Sequence, residues 1–278
     1  VTDSGGETLG LVAGAGRLPF EVARGARDAG RRVAVVAFHG FADPALADVA
    51  DALHWVRIGE LGALLAALHA ASARDVVVAG NVPKEQLFAA DRVRVDARGA
   101  AFLASLRDRS DDSILRALGD ALESEGLRVE AQTTWVAHLL APVGVLGDVA
   151  PTASQTADVA WGWPIAKAIG RLDIGQTLVV KDRSVLAVEA IEGTDAAIRR
   201  GAALARGGAC VLKVFKPGQD PRFDAPTIGP DTLGTLVETG AALLAVEAGR
   251  TLVLERDEVR RRADAAGIAV VGVPGGSA

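Results

Sequence analysis

The chain is poor in the residues that build cross-links and metal cages. One cysteine, Cys210, among 278 residues excludes an internal disulfide and any multi-cysteine zinc site, which fits a reducing compartment. Its place in the apolar run Ala209-Cys210-Val211-Leu212 points to a buried structural thiol. The four histidines, His39, His54, His69 and His138, have no spacing that sets two of them on one helix face, so each is expected to be structural. No apolar segment approaches the ~18–20 uninterrupted residues of a membrane span. The start has no charged segment followed by an apolar core, so a cytosolic protein is expected. The net charge of −5 and the lack of a long Lys/Arg run argue against a nucleic-acid partner. Methionine is absent, and nothing functional follows from that.

What is present suits an ordinary globular protein of two domains: 50% of the residues are hydrophobic and 23% are charged. The first half alternates strands and helices. The apolar run Leu9–Ala13 leads through a glycine turn into a helix over Phe20–Ala29, and further strands are expected at Arg32–Phe38 and Asp75–Ala79. Continuous apolar runs between helices imply a parallel sheet covered on both faces. A helix over Asp111–Glu125 and a short strand at Leu127–Ala131 close this α/β, Rossmann-like domain, assigned to residues 1–134. In residues 135–278 the pattern changes. Strands Gln176–Val180 and Val185–Ile191, joined by Lys181-Asp182-Arg183-Ser184, give a hairpin signal, and a mixed α+β domain is expected.

Gly14-Ala15-Gly16 after the first strand resembles part of a dinucleotide fingerprint, in which glycine lets a phosphate approach the backbone at a helix N-terminus. Pro19 stands where the third glycine belongs, which weakens a nicotinamide assignment. A tight turn without ligand and a nucleotide contact through Ala13, Gly14, Gly16 and Arg17 both remain open. Gly80-Asn81-Val82-Pro83-Lys84 follows another strand end, where ligand contact and a plain loop are equally supported. Asp111 and Asp112 read first as helix-capping acids and only second as metal ligands.

The richest stretch runs from Lys213 to Pro230. It mixes Lys213, Lys216 and Arg222 with Asp220 and Asp224, between backbone-shaping Pro217-Gly218, Pro226 and Gly229-Pro230. Together with Glu189, Glu192 and Asp195 it offers more oxygen ligands than a magnesium ion needs when it also binds substrate phosphates. Lys213, Lys216, Arg199 and Arg222 offer compensating positive charge. A salt-bridged surface loop is the plainer alternative.

Four stretches in order resemble the LpxI family of UDP-2,3-diacylglucosamine pyrophosphatases: Leu11–Pro19, Leu172-Asp173-Ile174-Gly175-Gln176, Glu189–Asp195 and Lys216–Gly229. The resemblance implies hydrolysis of a UDP-linked diacylated sugar lipid to UMP and 2,3-diacylglucosamine 1-phosphate, an early step of lipid A synthesis. It also implies a divalent cation, normally Mg2+, a homodimer, and a cytoplasmic protein with possible peripheral contact at the inner membrane. Asp224 matches the family's critical acid, whereas Ala225 stands where a larger apolar residue is common. Joining that acid to the residue-level candidates, the expected site has Asp224, Asp220, Lys213, Lys216 and Arg222 in catalysis and Asp224, Glu192 and Asp195 at the metal. Substrate contacts are Ala13, Gly14, Gly16, Arg17, Asn81, Gln176, Thr194 and Thr227. A non-catalytic nucleotide-lipid binding protein and a dinucleotide-dependent oxidoreductase are the alternatives.

Overall fold

A strand covered on both faces has no solvent side to make polar, so continuous apolar runs fold as the inner strands of parallel sheets. The computed structural model describes residues 7–82, 95–108, 110–217, 220–223 and 225–275. Pro83, Lys84, Asp224 and the side chains of Asp111 and Asp112 lie outside the described set. Contacts between Cα atoms divide the chain into Val1–Ala137 with Asp220–Asp224, and His138–Gln219 with Ala225–Ala278.

In the first unit β1 (Thr8–Ala13), β2 (Arg32–Phe38), β3 (Ala52–Val56), β4 (Asp75–Ala79) and β5 (Arg128–Val129) form an all-parallel sheet in the order β3-β2-β1-β4-β5. The helices of this unit are α1 (Leu18–Asp28), α2 (Leu61–Ala70), α3 (Ala97–Ser105) and α4 (Asp111–Ser124). Val12, Val36 and Val76 pack with Leu64, Leu65, Leu68 and Leu122 in one core. Of these elements α2 and β3 were not legible as periodic patterns, while β1, β2 and β4 follow their apolar runs.

Strand order reverses between β1 and β4, and the crevice outside the carboxyl ends at such a point is where open α/β sheets take ligands. Here the two loops are tied together. The Ala15 N–H donates to the Asn81 carbonyl at 2.8 Å and the Asn81 N–H returns to the Ala15 carbonyl at 2.9 Å. Gly80 permits this approach, because its φ is +90° and an added Cβ would lie 2.7 Å from the Ala15 oxygen.

Asp75, 2% exposed, is gripped at the start of β4 by Arg31 at 2.7 Å and Arg128 at 2.6 Å. Burial alone would raise its pKa, but hydrogen bonds and charge from the two arginines outweigh it and hold the carboxyl below its ordinary 3.8. A depressed folded-state pKa contributes stability that is present above the unfolded value and lost as pH falls through the folded one. The Tm difference between the native protein and Asp75→Asn should therefore hold steady above pH 3.8 and shrink as pH falls below it, which a melting series in acid checks.

In the second unit six strands run in the order β6-β13-β11-β9-β7-β8. They are β6 (Gly144–Val145), β7 (Thr177–Lys181), β8 (Ser184–Val188), β9 (Cys210–Lys213), β11 (Leu243–Glu247) and β13 (Ala269–Val273). Strands β9, β11 and β13 are mutually parallel, whereas β6 pairs antiparallel with β13 at one edge and β7, followed by its hairpin partner β8, pairs antiparallel with β9 at the other, so the sheet is mixed. β10 (Thr227–Ile228) and β12 (Leu252–Val253) pair separately. Helices α6 (Thr194–Ala205), α7 (Pro230–Thr239) and α8 (Arg256–Ala266) accompany a core of Val179, Val211, Ile228, Leu233, Leu236 and Val246. α5 (Ala153–Arg171), opened by a Thr152/Gln155 capping box, was not foreseen. Its Trp161 and Trp163 pack against Leu178, Val180 and Leu212 of a second core, which also contains Cys210. Burial, followed by the Asp158 charge, pushes the Cys210 thiol up to about 12 and leaves it inert.

The hairpin turn is tighter than its sequence suggested. Lys181 and Ser184 already pair, leaving Asp182 and Arg183 with φ of 51° and 53°. Two residues of positive φ match the twist of the flanking strands. The buried Asp158 carboxylate on α5 accepts from the Asp182 N–H at 3.0 Å and the Arg183 N–H at 2.7 Å. Asp158→Ala should cost about 2 kcal/mol, visible as a lower urea midpoint at unchanged m-value. Among the described residues no helix is long and apolar enough to cross a membrane.

Candidate active site

The polar residues of the second unit gather where β9 ends and β7 begins. Thr177 pairs with Lys213, and the Glu189 N–H donates to the Thr177 carbonyl at 2.9 Å. Glu189, Thr177 and Lys213 thus stand abreast on three neighbouring strands. Each lies two residues from a core side chain, namely Ala187, Val179 and Val211, so strand alternation puts all three on one face. All are buried, at 7%, 1% and 7% exposure, in a row that would be apolar if packing were its only purpose.

The row is fixed by short polar contacts. The Thr194 hydroxyl donates to Glu189 Oε1 at 2.9 Å and lies 3.4 Å from the Thr177 hydroxyl. The Gln176 N–H donates to Glu189 Oε2 at 3.3 Å. Gly175 allows the two turns to touch, because an added Cβ would sit 2.0 Å from the Glu189 carbonyl oxygen. Lys213 Nζ donates to the Thr227 carbonyl at 3.0 Å, just before α7. Helices α6 and α7 begin behind Gly193 and Gly229, N-cap residues that have no side chain of their own to cap the leading amides. A buried ammonium beside such helix ends favours an anion.

Other candidates fall elsewhere. Lys216 forms a 2.7 Å ion pair with Asp173. Exposed Glu192 accepts from Arg200 and from the Ala190 N–H, and its own backbone amide followed by Arg200 lowers its pKa. Asp195 is exposed in the first turn of α6. Asp220 and Arg222 pair with each other at 2.8 Å within the first unit. The Arg222 hydrogen bond lowers the Asp220 pKa, and Asp220 raises that of Arg222. Arg222 also meets Glu123 at 2.6 Å. Ala13 and Gly14 are buried at the end of β1, while Gly16, Arg17 and the paired Asn81 are exposed there.

Among the described residues no three His, Cys, Asp or Glu side chains gather as a metal cage. The donors still suit a hard cation, since magnesium takes one or two carboxylates and completes its shell with water and substrate phosphates. Glu189 is a buried carboxylate in the row, and the neighbouring Gln176 Oε1 is buried with no hydrogen-bond partner among the described residues.

The match to known proteins runs through both units. The LpxI N-terminal domain model covers residues 8–139 and the LpxI C-terminal domain model covers 142–271. The chain belongs to the LpxI family. A relative from Caulobacter vibrioides, the UDP-2,3-diacylglucosamine pyrophosphatase LpxI, is 42% identical over 276 residues, spanning 95% of this chain and 97% of that one. Solved structures are far more distant. A biotin carboxylase from Campylobacter jejuni is 12% identical with a TM-score of 0.30, covering 71% of this chain and 42% of its own. The structure of gox2253 is 13% identical with a TM-score of 0.32, covering 96% and 77%. Likeness at that level carries no inference about either fold or activity.

Sequence patterns missed three polar residues at or packed beside the strand ends of this family member. Thr177, Lys167 and Glu247 carry no motif, although Glu247 closes the apolar run Leu243–Val246 as Lys213 closes Cys210–Leu212. A single charge ending a buried strand is the signal that could have found it.

Proposed function

We propose that the protein hydrolyses the pyrophosphate of UDP-2,3-diacylglucosamine to UMP and 2,3-diacylglucosamine 1-phosphate. What carries this assignment is 42% identity across nearly the whole length of a relative bearing that activity in its name. The buried Glu189-Thr177-Lys213 row beside two uncapped helix starts adds chemical support, since it joins an anion-attracting ammonium to hard oxygen donors.

In the proposed reaction a water oxygen bonds to the β-phosphorus as the bond from that phosphorus to the bridging oxygen breaks. UMP departs with the bridging oxygen, and the water's protons pass to an acceptor carboxylate and to solvent. Lys213 offsets charge on the phosphoryl oxygens as it develops. Thr194, held by Glu189, and Thr227 flank the helix starts and orient the phosphates. Within the second unit Glu189 and Gln176 would offer oxygens to a divalent cation; Asp224 is proposed as the essential acid on family resemblance, and the turn at Gly14–Arg17 is the proposed contact for the nucleotide. A bound Mg2+ supplies neutralisation of the pyrophosphate charge.

Purified protein incubated with UDP-2,3-diacylglucosamine and Mg2+ should release UMP in step with the monophosphorylated lipid. Reaction in 18O-water should label the lipid phosphate and leave UMP unlabelled. Tight binding of the substrate with no UMP formed would replace this assignment with that of a nucleotide-lipid carrier.

A further inference from the structure

A buried carboxylate and a half-buried ammonium outside the row converge on a single peptide. Glu247, the last residue of β11, is 2% exposed and forms a 2.8 Å ion pair with Lys167 of α5. Glu247 Oε2 also accepts the Phe215 N–H at 2.9 Å, and Lys167 Nζ donates to the Phe215 carbonyl at 2.9 Å. Residue 215 has just left the β9 ladder, so both of its backbone groups need partners, and here both partners are ionised. The Arg250 guanidinium stacks 5.0 Å from the centre of the Phe215 ring and reaches Glu247 Oε1 at 3.6 Å.

A buried ion pair is weak evidence for stability, because well-packed apolar residues of similar volume often do as well or better. What these charges hold is more telling. Phe215 lies between Lys213, which points into the polar row, and Lys216, which pairs with Asp173. Clamping its N–H and its carbonyl sets the direction in which the chain leaves the sheet. With the exit held, the last residue of β9 keeps its register, and Lys213 keeps its place in the row.

We propose that Lys167 and Glu247 are positioning residues, a charged clip on the Phe215 peptide that anchors the end of β9 and so holds Lys213 toward the substrate phosphates. The clip rests on the pyrophosphatase assignment for its catalytic consequence and on geometry alone for its structural one. Neither residue contacts substrate in this scheme.

The test is the double variant Lys167→Met/Glu247→Leu in the full chain, an apolar pair that keeps the volume and leaves no lone buried charge. Expected are a Tm at or above that of the native protein, a kcat reduced about 100-fold with KM within threefold, as for a small misplacement of catalytic groups, and faster hydrogen exchange at the Phe215 amide. Lys167→Arg, which keeps the donor, should recover most of the rate. A kcat within twofold of native, or unchanged exchange at Phe215, overturns the clip. A native protein that releases no UMP overturns the activity instead, and the clip then stands or falls on the exchange measurement. If the double variant does not fold, Glu247→Gln is read by the same rate and exchange criteria.

Discussion

Lys213→Met should lower kcat by two to three orders of magnitude, about 3–4 kcal/mol of lost transition-state stabilisation, while Tm holds or rises. The two halves of that expectation have one cause. Lys213 as a residue is 7% exposed, and keeping its charge out of water costs the fold free energy that methionine of similar length does not. The same desolvation strengthens the field acting on a nearby phosphoryl group, because little water is left to screen it. If Lys213 served only to hold the Thr227 carbonyl across a 3.0 Å bond, its loss would loosen the start of α7, lower Tm and leave kcat nearly intact. Steady-state kinetics and melting on one preparation separate the two. Lys213→Arg should recover little, since a planar fork does not fit a buried site shaped for a compact ammonium.

Local sequence was a good guide where a residue's role is local. Leu9–Ala13 and Asp75–Ala79 declare buried parallel strands because both faces must be apolar, and the structure has β1 and β4 there. The Asp182-Arg183 hairpin could be anticipated but not its tightness, since that depends on Asp158, 24 residues away in an unforeseen helix. α5 has alanine, glycine and tryptophan on most sides and an internal Pro164, so no amphipathic stripe marks it, and only its capping box is a local signal. The site divides in the same way. Gln176, Thr194 and Lys213 fall within or beside motifs, and the structure brings them to one strand edge. Thr177 joins them only through cross-strand register, and Lys167 and Glu247 meet across 80 residues of sequence. Register and helix packing are properties of the folded chain, and no spacing rule along the sequence reports them.

The second large effect is expected at the acid that family resemblance singles out. Asp224→Asn should reduce kcat by about 1,000-fold even in saturating Mg2+, the middle of the range for loss of a positioned acid or base. The side chains are nearly isosteric, so the substitution removes a charge and a proton acceptor with little change in volume. The peptides on either side have defined anchors: the Phe223 carbonyl accepts from Gln132 Nε2 at 2.6 Å, and the Ala225 carbonyl accepts from the Thr227 hydroxyl at 2.9 Å. Anchors on both flanks make a general collapse of the segment a poor explanation for lost activity, and an unchanged Tm would exclude it. A magnesium titration then assigns the role. A ligand lost from the cation raises the Mg2+ concentration needed for half-maximal rate, and the rate partly recovers at high Mg2+. A lost proton acceptor leaves that concentration unchanged and flattens the acidic limb of the pH–rate profile. Near-native turnover in Asp224→Asn would remove the carboxylate from the mechanism and leave Glu189, the buried acid of the row, as the group to test next.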